Sequence, residues 1–252
     1  MPQACRAMPT TTLPDEPSAE QVERFLDALI ARDRRTCEAM TASLLEAGIN
    51  PIVLYQRLYQ PTLYQVGELW AANQLSVASE HMATAIVESL MNQAYAYLPC
   101  KRRCGRRALL ATVEDELHQV GLKMAADVFE MHGWDLHKLA AGSSTDALIA
   151  AIRREHPHLV GLSCSVLSHV DMLLEMLERL RQAFPDLPIV VGGQAIGADD
   201  ETTRFDDPHV TPMRTLDQLD TWLQNDAQRL DACVFGARDA APDAAMRNSP
   251  PR

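Results

Sequence analysis

Hydrophobic positions along the chain follow two different periods, one before residue 98 and another after residue 108. From Ser18 to Leu98 apolar residues recur at helical spacing. Phe25, Leu26, Leu29 and Ile30 form one stripe; Met40, Leu44 and Leu45 form another, ended by Gly48 as a C-cap. Asn50-Pro51 opens a third helix, since proline suits a first turn, and that helix carries Leu54, Leu58, Val66 and Leu69 with a kink or break expected at Pro61. Asn73-Gln74 makes a short connection to a fourth helix, capped by Ser76 or Ser79 and running through Met82, Ile86, Leu90 and Met91. Four amphipathic helices with short loops predict a small four-helix bundle.

Beyond the bundle the period changes. Ala108–Val113 is a continuous apolar run, as in a strand buried on both faces. A helix over Val120–Met131, a strand over Trp134–Leu139, a helix over Thr145–Arg154 and a strand over Leu159–Ser163 follow. Next come a helix over Ser168–Ala183, a strand over Ile189–Val191, a weaker strand near His209–Thr211 and a helix over Leu216–Gln224. Strand–helix alternation with apolar strands predicts a doubly wound, Rossmann-like parallel sheet. The expected fold is therefore an α segment joined to an α/β segment: 1–17 unstructured, 18–98 helical bundle, 99–107 basic linker, 108–228 Rossmann-like domain, and 229–252 a mostly unstructured tail.

Composition narrows the class. The 252 residues are 47% hydrophobic and 23% charged, the profile of a soluble globular protein. No run approaches 18 apolar residues, and the first residues lack the apolar core of a secretory signal. The six cysteines are accordingly expected as reduced thiols in the cytoplasm. A net charge of −11 disfavours DNA and acidic membranes as direct partners.

Ligands of doubly wound sheets bind beyond the carboxyl ends of the strands, so the loops after Val113, Ser163 and Val191 carry the candidate chemistry. The first contains Glu116, Leu117, His118 and Gly121: a histidine two residues after a carboxylate can ligate a metal, the carboxylate fixing its tautomer. Gly121 leaves room at the helix start. The second loop offers Ser163 and Ser165 ahead of Leu167; the third, Gly192-Gly193, removes two side chains. Together these describe a long cofactor tail threaded into the sheet.

The segment Glu116-x-His118-x-x-Gly121, followed by Ser165-x-Leu167 and Gly192-Gly193, resembles the signature of cobalamin-binding proteins that take B12 base-off. The resemblance implies His118 as the lower axial ligand of cobalt, with Glu116 as its partner in place of the more common Asp. It implies Ser165 at the buried base, and Leu167, Gly192 and Gly193 along the tail channel. In the bundle, Trp70 precedes Glu80-His81 with the W-x9-E-H spacing of light-responsive cobalamin regulators of the CarH type, where these residues lie over the upper ligand. Adenosylcobalamin or hydroxocobalamin is the implied cofactor. Two departures accompany the likeness: Ala71 stands where those repressors place a histidine, and the 17 residues before Ser18 are too few for a helix-turn-helix reader.

The build is similar to the standalone antirepressors of the AerR family. That likeness implies a non-enzymatic sensor acting on transcription through a separate DNA-binding repressor. The rival readings are a corrinoid methyl carrier of a methyltransferase system, whose cap usually lacks the Trp and Glu-His pattern, and a heme-binding version of the fold, which has no tail to bury.

Other candidates carry less. Cys100 and Cys104 sit among Lys and Arg, which lower a thiol pKa, but two cysteines make a poor zinc site. Cys164 is expected to be packed, His156-Pro157-His158 to form a solvated turn, and His132, His137 and His169 fall into no usable pattern.

Overall fold

Ser18 and Gln21 form a reciprocal capping box, each side chain accepting from the other's backbone N–H. In this computed structural model, which describes residues 16–99, 101–197 and 205–225, the box opens α1 (Ala19–Ile30). Asp33 caps α2 (Arg34–Glu46), which ends at Gly48 with φ of 87°. Asn50 caps α3 (Pro51–Leu54), and α4 (Gln60–Ala71) follows it. Between them Tyr55–Tyr59 winds as a π-helix, and of the kink or break expected at Pro61 the break does not occur, since helical winding continues through it. Pro61 sits in the first turn of α4, where its missing N–H is tolerated. Ser76 caps α5 (Val77–Tyr95), its hydroxyl accepting from the Ser79 N–H.

Phe25, Leu29, Leu54, Tyr55, Leu58 and Tyr59 are fully buried among these helices. Each such side chain contributes about 1.5–3 kcal/mol by leaving water. Phe25 stacks on Tyr59 and Tyr59 on Tyr55, with ring centroids 5.6 and 5.8 Å apart. The buried hydroxyls find partners: Tyr59 shares a 3.0 Å bond with Thr41, and Tyr55 donates to Asp127 at 2.7 Å.

The chain divides into two compact units, Met1–Arg102 with Leu117–Gly133, and Arg103–Glu116 with Trp134–Arg252. Here α6 (Val120–Met131) packs on α5, and Lys123 pairs with Glu88 at 2.6 Å, so Leu117–Gly133 groups with the helices.

The second unit is a five-stranded, wholly parallel sheet in the order β2-β1-β3-β4-β5. The strands are β1 (Arg107–Thr112), β2 (Asp135–Lys138), β3 (Leu159–Ser163), β4 (Ile189–Gly192) and β5 (Val210–Met213). With them come α7 (Thr145–Glu155), α8 (Val170–Ala183) and α10 (Leu216–Asn225), and a short α9 (Gln194–Gly197) that the sequence pattern does not announce. Leu109, Ala111, Val160, Leu162 and Val191 of the strands share one core with Leu148, Ile152, Leu173 and Leu180 of the helices. Pro212 lies on the edge strand β5, where a lost donor is harmless. The expected helix from Ser168 starts instead at Val170, after a 3-10 turn over Leu167–His169.

Among the described residues no helix is long and apolar enough to cross a membrane. The expected unstructured ends fall almost wholly outside the described residues, as do Cys100 and Cys233.

Candidate functional site

Strand order reverses between β1 and β3, the place where parallel sheets of this order bind ligands. Thr112, Ser163 and Gly192 occupy one register row at the carboxyl ends of β1, β3 and β4. Beyond that row the Val113 N–H still donates to the Ser163 carbonyl at 3.0 Å, and the Cys164 N–H to the Gly192 carbonyl at 2.8 Å. The three loops that the sequence singles out thus leave the sheet side by side.

Glu116 is fully buried. A buried carboxylate needs donors, and Oε2 accepts from the Ser165 N–H and faces Nδ1 of His169, both at 3.2 Å. Sequence reading left His169 aside. Its partner is 53 residues away, and only the register of β1 against β3 brings the two loops together. Ser165 engages the site through its backbone, while Ser163 is buried at the strand end.

Gly193 has a structural reason to be glycine. Its φ is 108°, and a Cβ there would lie 2.2 Å from the Cys164 carbonyl oxygen. At Gly192 a Cβ would come within 3.3 Å of the Met213 carbonyl oxygen. Cys164 is buried, and burial together with the Glu116 charge pushes its thiol up to about 11, so it is packed and unreactive at neutral pH. Leu167 is 53% exposed.

The helical unit holds the other candidates. Leu117 is 73% exposed, His118 is exposed, and a Cβ on Gly121 would meet nothing within 4 Å. Trp70 ends α4 with 49% of its surface exposed, and Ala71 beside it is exposed. Asn73, with φ of 57°, turns the chain into α5. In the first turn of α5 the Glu80 carboxylate accepts from the Thr84 hydroxyl at 3.0 Å and lies 3.5 Å from Nε2 of the exposed His81. Two oxygens of Glu80 are thereby oriented, and an indole and an imidazole remain open to solvent. Among the described residues no group of three or more His, Cys, Asp and Glu is placed to hold a bare metal ion.

Residues 106–211 match a family model described as B12 binding domain, and residues 21–95 match a second model of the same description. The chain carries a cobalamin-binding module. The chain is 28% identical to the HTH-type transcriptional repressor CarH of Myxococcus xanthus over 177 residues, 69% of this chain. The repressor CarA of the same organism is 29% identical over 185 residues, 71% of this chain. This chain spans 58% and 60% of the lengths of those two repressors. The trimethylamine corrinoid protein of Methanosarcina barkeri is 19% identical over 186 residues, covering 71% of this chain and 85% of its own. The structure of the Methanosarcina barkeri monomethylamine corrinoid protein shares the fold, with a TM-score of 0.69 at 12% identity over 80% of this chain and 96% of that one. Transcriptional repressors and methylamine corrinoid proteins are thus both represented among the proteins this chain is similar to.

Proposed function

We propose that this protein is a cobalamin-binding, light-responsive sensor that controls transcription through a DNA-binding repressor. The observation that carries the reading is the set around Glu80: a carboxylate held by Thr84, with His81 and Trp70 exposed, supplies polar donors and acceptors that suit a large polar upper ligand such as adenosyl. A methyl group offers nothing for them to bind.

The residues fit the group. His118 would supply an imidazole ligand to the cobalt of a bound cobalamin. Gly121 leaves its side-chain position open, exposed Leu117 and Leu167 offer apolar contact, and the buried carboxylate of Glu116 is fixed by Ser165 and His169. In this reading His118 is the lower ligand and Glu116 orients it. Ser163, Ser165, Leu167, Gly192 and Gly193 take the nucleotide tail, and Trp70, Glu80 and His81 meet the upper ligand. Adenosylcobalamin, when bound, would supply a light-sensitive cobalt–carbon bond. Trp70, Glu80 and His81 would hold the upper group, and a change in their contacts would shift the protein between two states that offer the repressor different surfaces. A net charge of −11 favours a protein partner over direct contact with the DNA backbone.

The fold shared with the monomethylamine corrinoid protein supports a second reading, a methyl carrier serving partner methyltransferases. Absorption spectra of the protein with adenosylcobalamin, in the dark and after illumination, separate the two. A stable dark complex that changes on illumination and also alters repressor binding supports the sensor. Equal affinity for methyl- and adenosylcobalamin with no effect on a repressor supports the carrier. Loss of His118, in His118→Ala, should abolish the His-ligated spectrum in either case.

A further inference from the structure

Glu114 is anchored from several directions. Its carboxylate accepts from the N–H and the hydroxyl of Thr145 at 3.0 and 2.7 Å, and its backbone N–H reaches Sδ of Met176 at 3.3 Å. It also pairs with Gly142 in an isolated parallel bridge. Thr145 is the first residue of α7, so the carboxylate lies where unsatisfied N–H groups and the helix dipole favour an anion. The same contacts hold its pKa below the ordinary carboxylate value.

The next residue, Asp115, is in the left-handed region with φ of 60°, a conformation that costs a residue with a Cβ. Hydrogen bonds lock the turn on both sides of it. The Glu116 N–H donates to the Val113 carbonyl at 3.0 Å, and the Thr112 hydroxyl donates to the Glu116 carbonyl at 2.8 Å. The Gly142 N–H in turn donates to the same hydroxyl at 3.1 Å. Disfavoured backbone persists where its surroundings over-determine it. On the amino side the Glu114 carboxylate adds its ties to Thr145.

We propose that Glu114 is a positioning residue of the cobalamin site: by tying the loop to the start of α7 it holds the left-handed turn at Asp115 and so sets where the chain delivers Glu116 and His118. This rests on the reading of His118 as the cobalt ligand. Without the tie, Asp115 relaxes towards ordinary backbone angles, and binding must then order the loop at its own expense.

The test uses the full chain in two measurements: amide hydrogen exchange of the cofactor-free protein, and titration with hydroxocobalamin. Glu114→Ala should speed exchange at the Glu116 and Thr145 N–H groups and weaken hydroxocobalamin binding roughly tenfold, the lower end for a group that orients a ligand. Glu114→Gln keeps an acceptor oxygen for Thr145 and should recover most of both. Adding Asp115→Gly to Glu114→Ala removes the Cβ penalty of the left-handed turn and should restore part of the affinity. Wild-type exchange and affinity in Glu114→Ala, or a double variant as weak as Glu114→Ala alone, would overturn the proposal. If His118→Ala binds hydroxocobalamin as tightly as the wild type, the ligand reading has failed instead. The exchange measurement then still decides whether Glu114 holds the loop.

Discussion

Nδ1 of His169 lies 3.2 Å from Oε2 of the fully buried Glu116, joining the loop after β3 to the loop after β1. The histidine is itself only a quarter exposed. A carboxylate without solvent depends on its donors, and His169 reaches it from the neighbouring loop.

Replacing that donor should therefore be felt before any cofactor is added. His169→Ala is expected to lower the unfolding free energy by about 1.5–3 kcal/mol, the range for a hydrogen bond to a charged group. His169→Gln, which keeps a donor, should cost less. Urea unfolding of the cofactor-free protein measures both; an alanine variant as stable as the wild type would show that Glu116 draws nothing from this contact.

The two glycines nearest the candidate tail and ligand loops should behave in opposite ways. Gly193→Ala drives a Cβ into the Cys164 peptide at positive φ and should destabilise the sheet unit whether or not cobalamin is present. Gly121→Ala meets open space within a helix and should leave stability unchanged or raise it by up to about 1 kcal/mol. Its effect should be on cobalamin titration, which weakens because the methyl occupies room the ligand uses. Thermal melts and titrations of the two variants side by side check the contrast.

Acid should weaken the anchoring of the first loop. Hydrogen bonds from the Thr145 N–H and hydroxyl lower the Glu114 pKa from its ordinary 4.5. A depressed folded-state pKa means that the stabilisation is complete above pH 4.5 and is lost as the pH falls through the lower folded value. The difference in melting temperature between wild type and Glu114→Gln should shrink as the pH drops below 4.5, and a difference that grows there would contradict the sign.

If Trp70 meets the upper ligand as proposed, Trp70→Ala should loosen adenosylcobalamin far more than hydroxocobalamin. Ala71 carries no donor atom, so after illumination the upper position should stay open to added cyanide. Stopped-flow absorbance with cyanide tests this. Resistance to cyanide that survives His81→Ala would require a donor other than those named here.

Much of the fold was legible because periodicity is a backbone property. Val120–Met131 and Leu159–Ser163 form the elements their spacing predicts, residue for residue. The departures are local contests. Tyr55–Tyr59 winds as a π-helix with both Tyr55 and Tyr59 buried, and no hydrophobic pattern encodes an extra residue per turn. Ser168 is drawn into a 3-10 turn ahead of α8, which lets His169 face Glu116. In the candidate site, Glu116 and the glycines stood out by local spacing. His169 and Glu114 did not, since their roles exist only once β1, β3 and α7 are assembled. Gly193 was conspicuous for a reason the sequence does not disclose, the nearness of another backbone.

The π turn between α3 and α4 behaves as a single residue in excess. A regular helix advances about 100° per residue, so deleting one residue from Tyr55–Tyr59 would let the rod close as uninterrupted α-helix only by rotating Pro51–Leu54 through that angle against Gln60–Ala71. Leu54, now fully buried, would swing from the interior, and the Phe25–Tyr59–Tyr55 stack would lose a ring. Length between Asn50 and Trp70 is thus fixed as tightly as composition: this stretch should accept many substitutions on its outer face and almost no change in residue count.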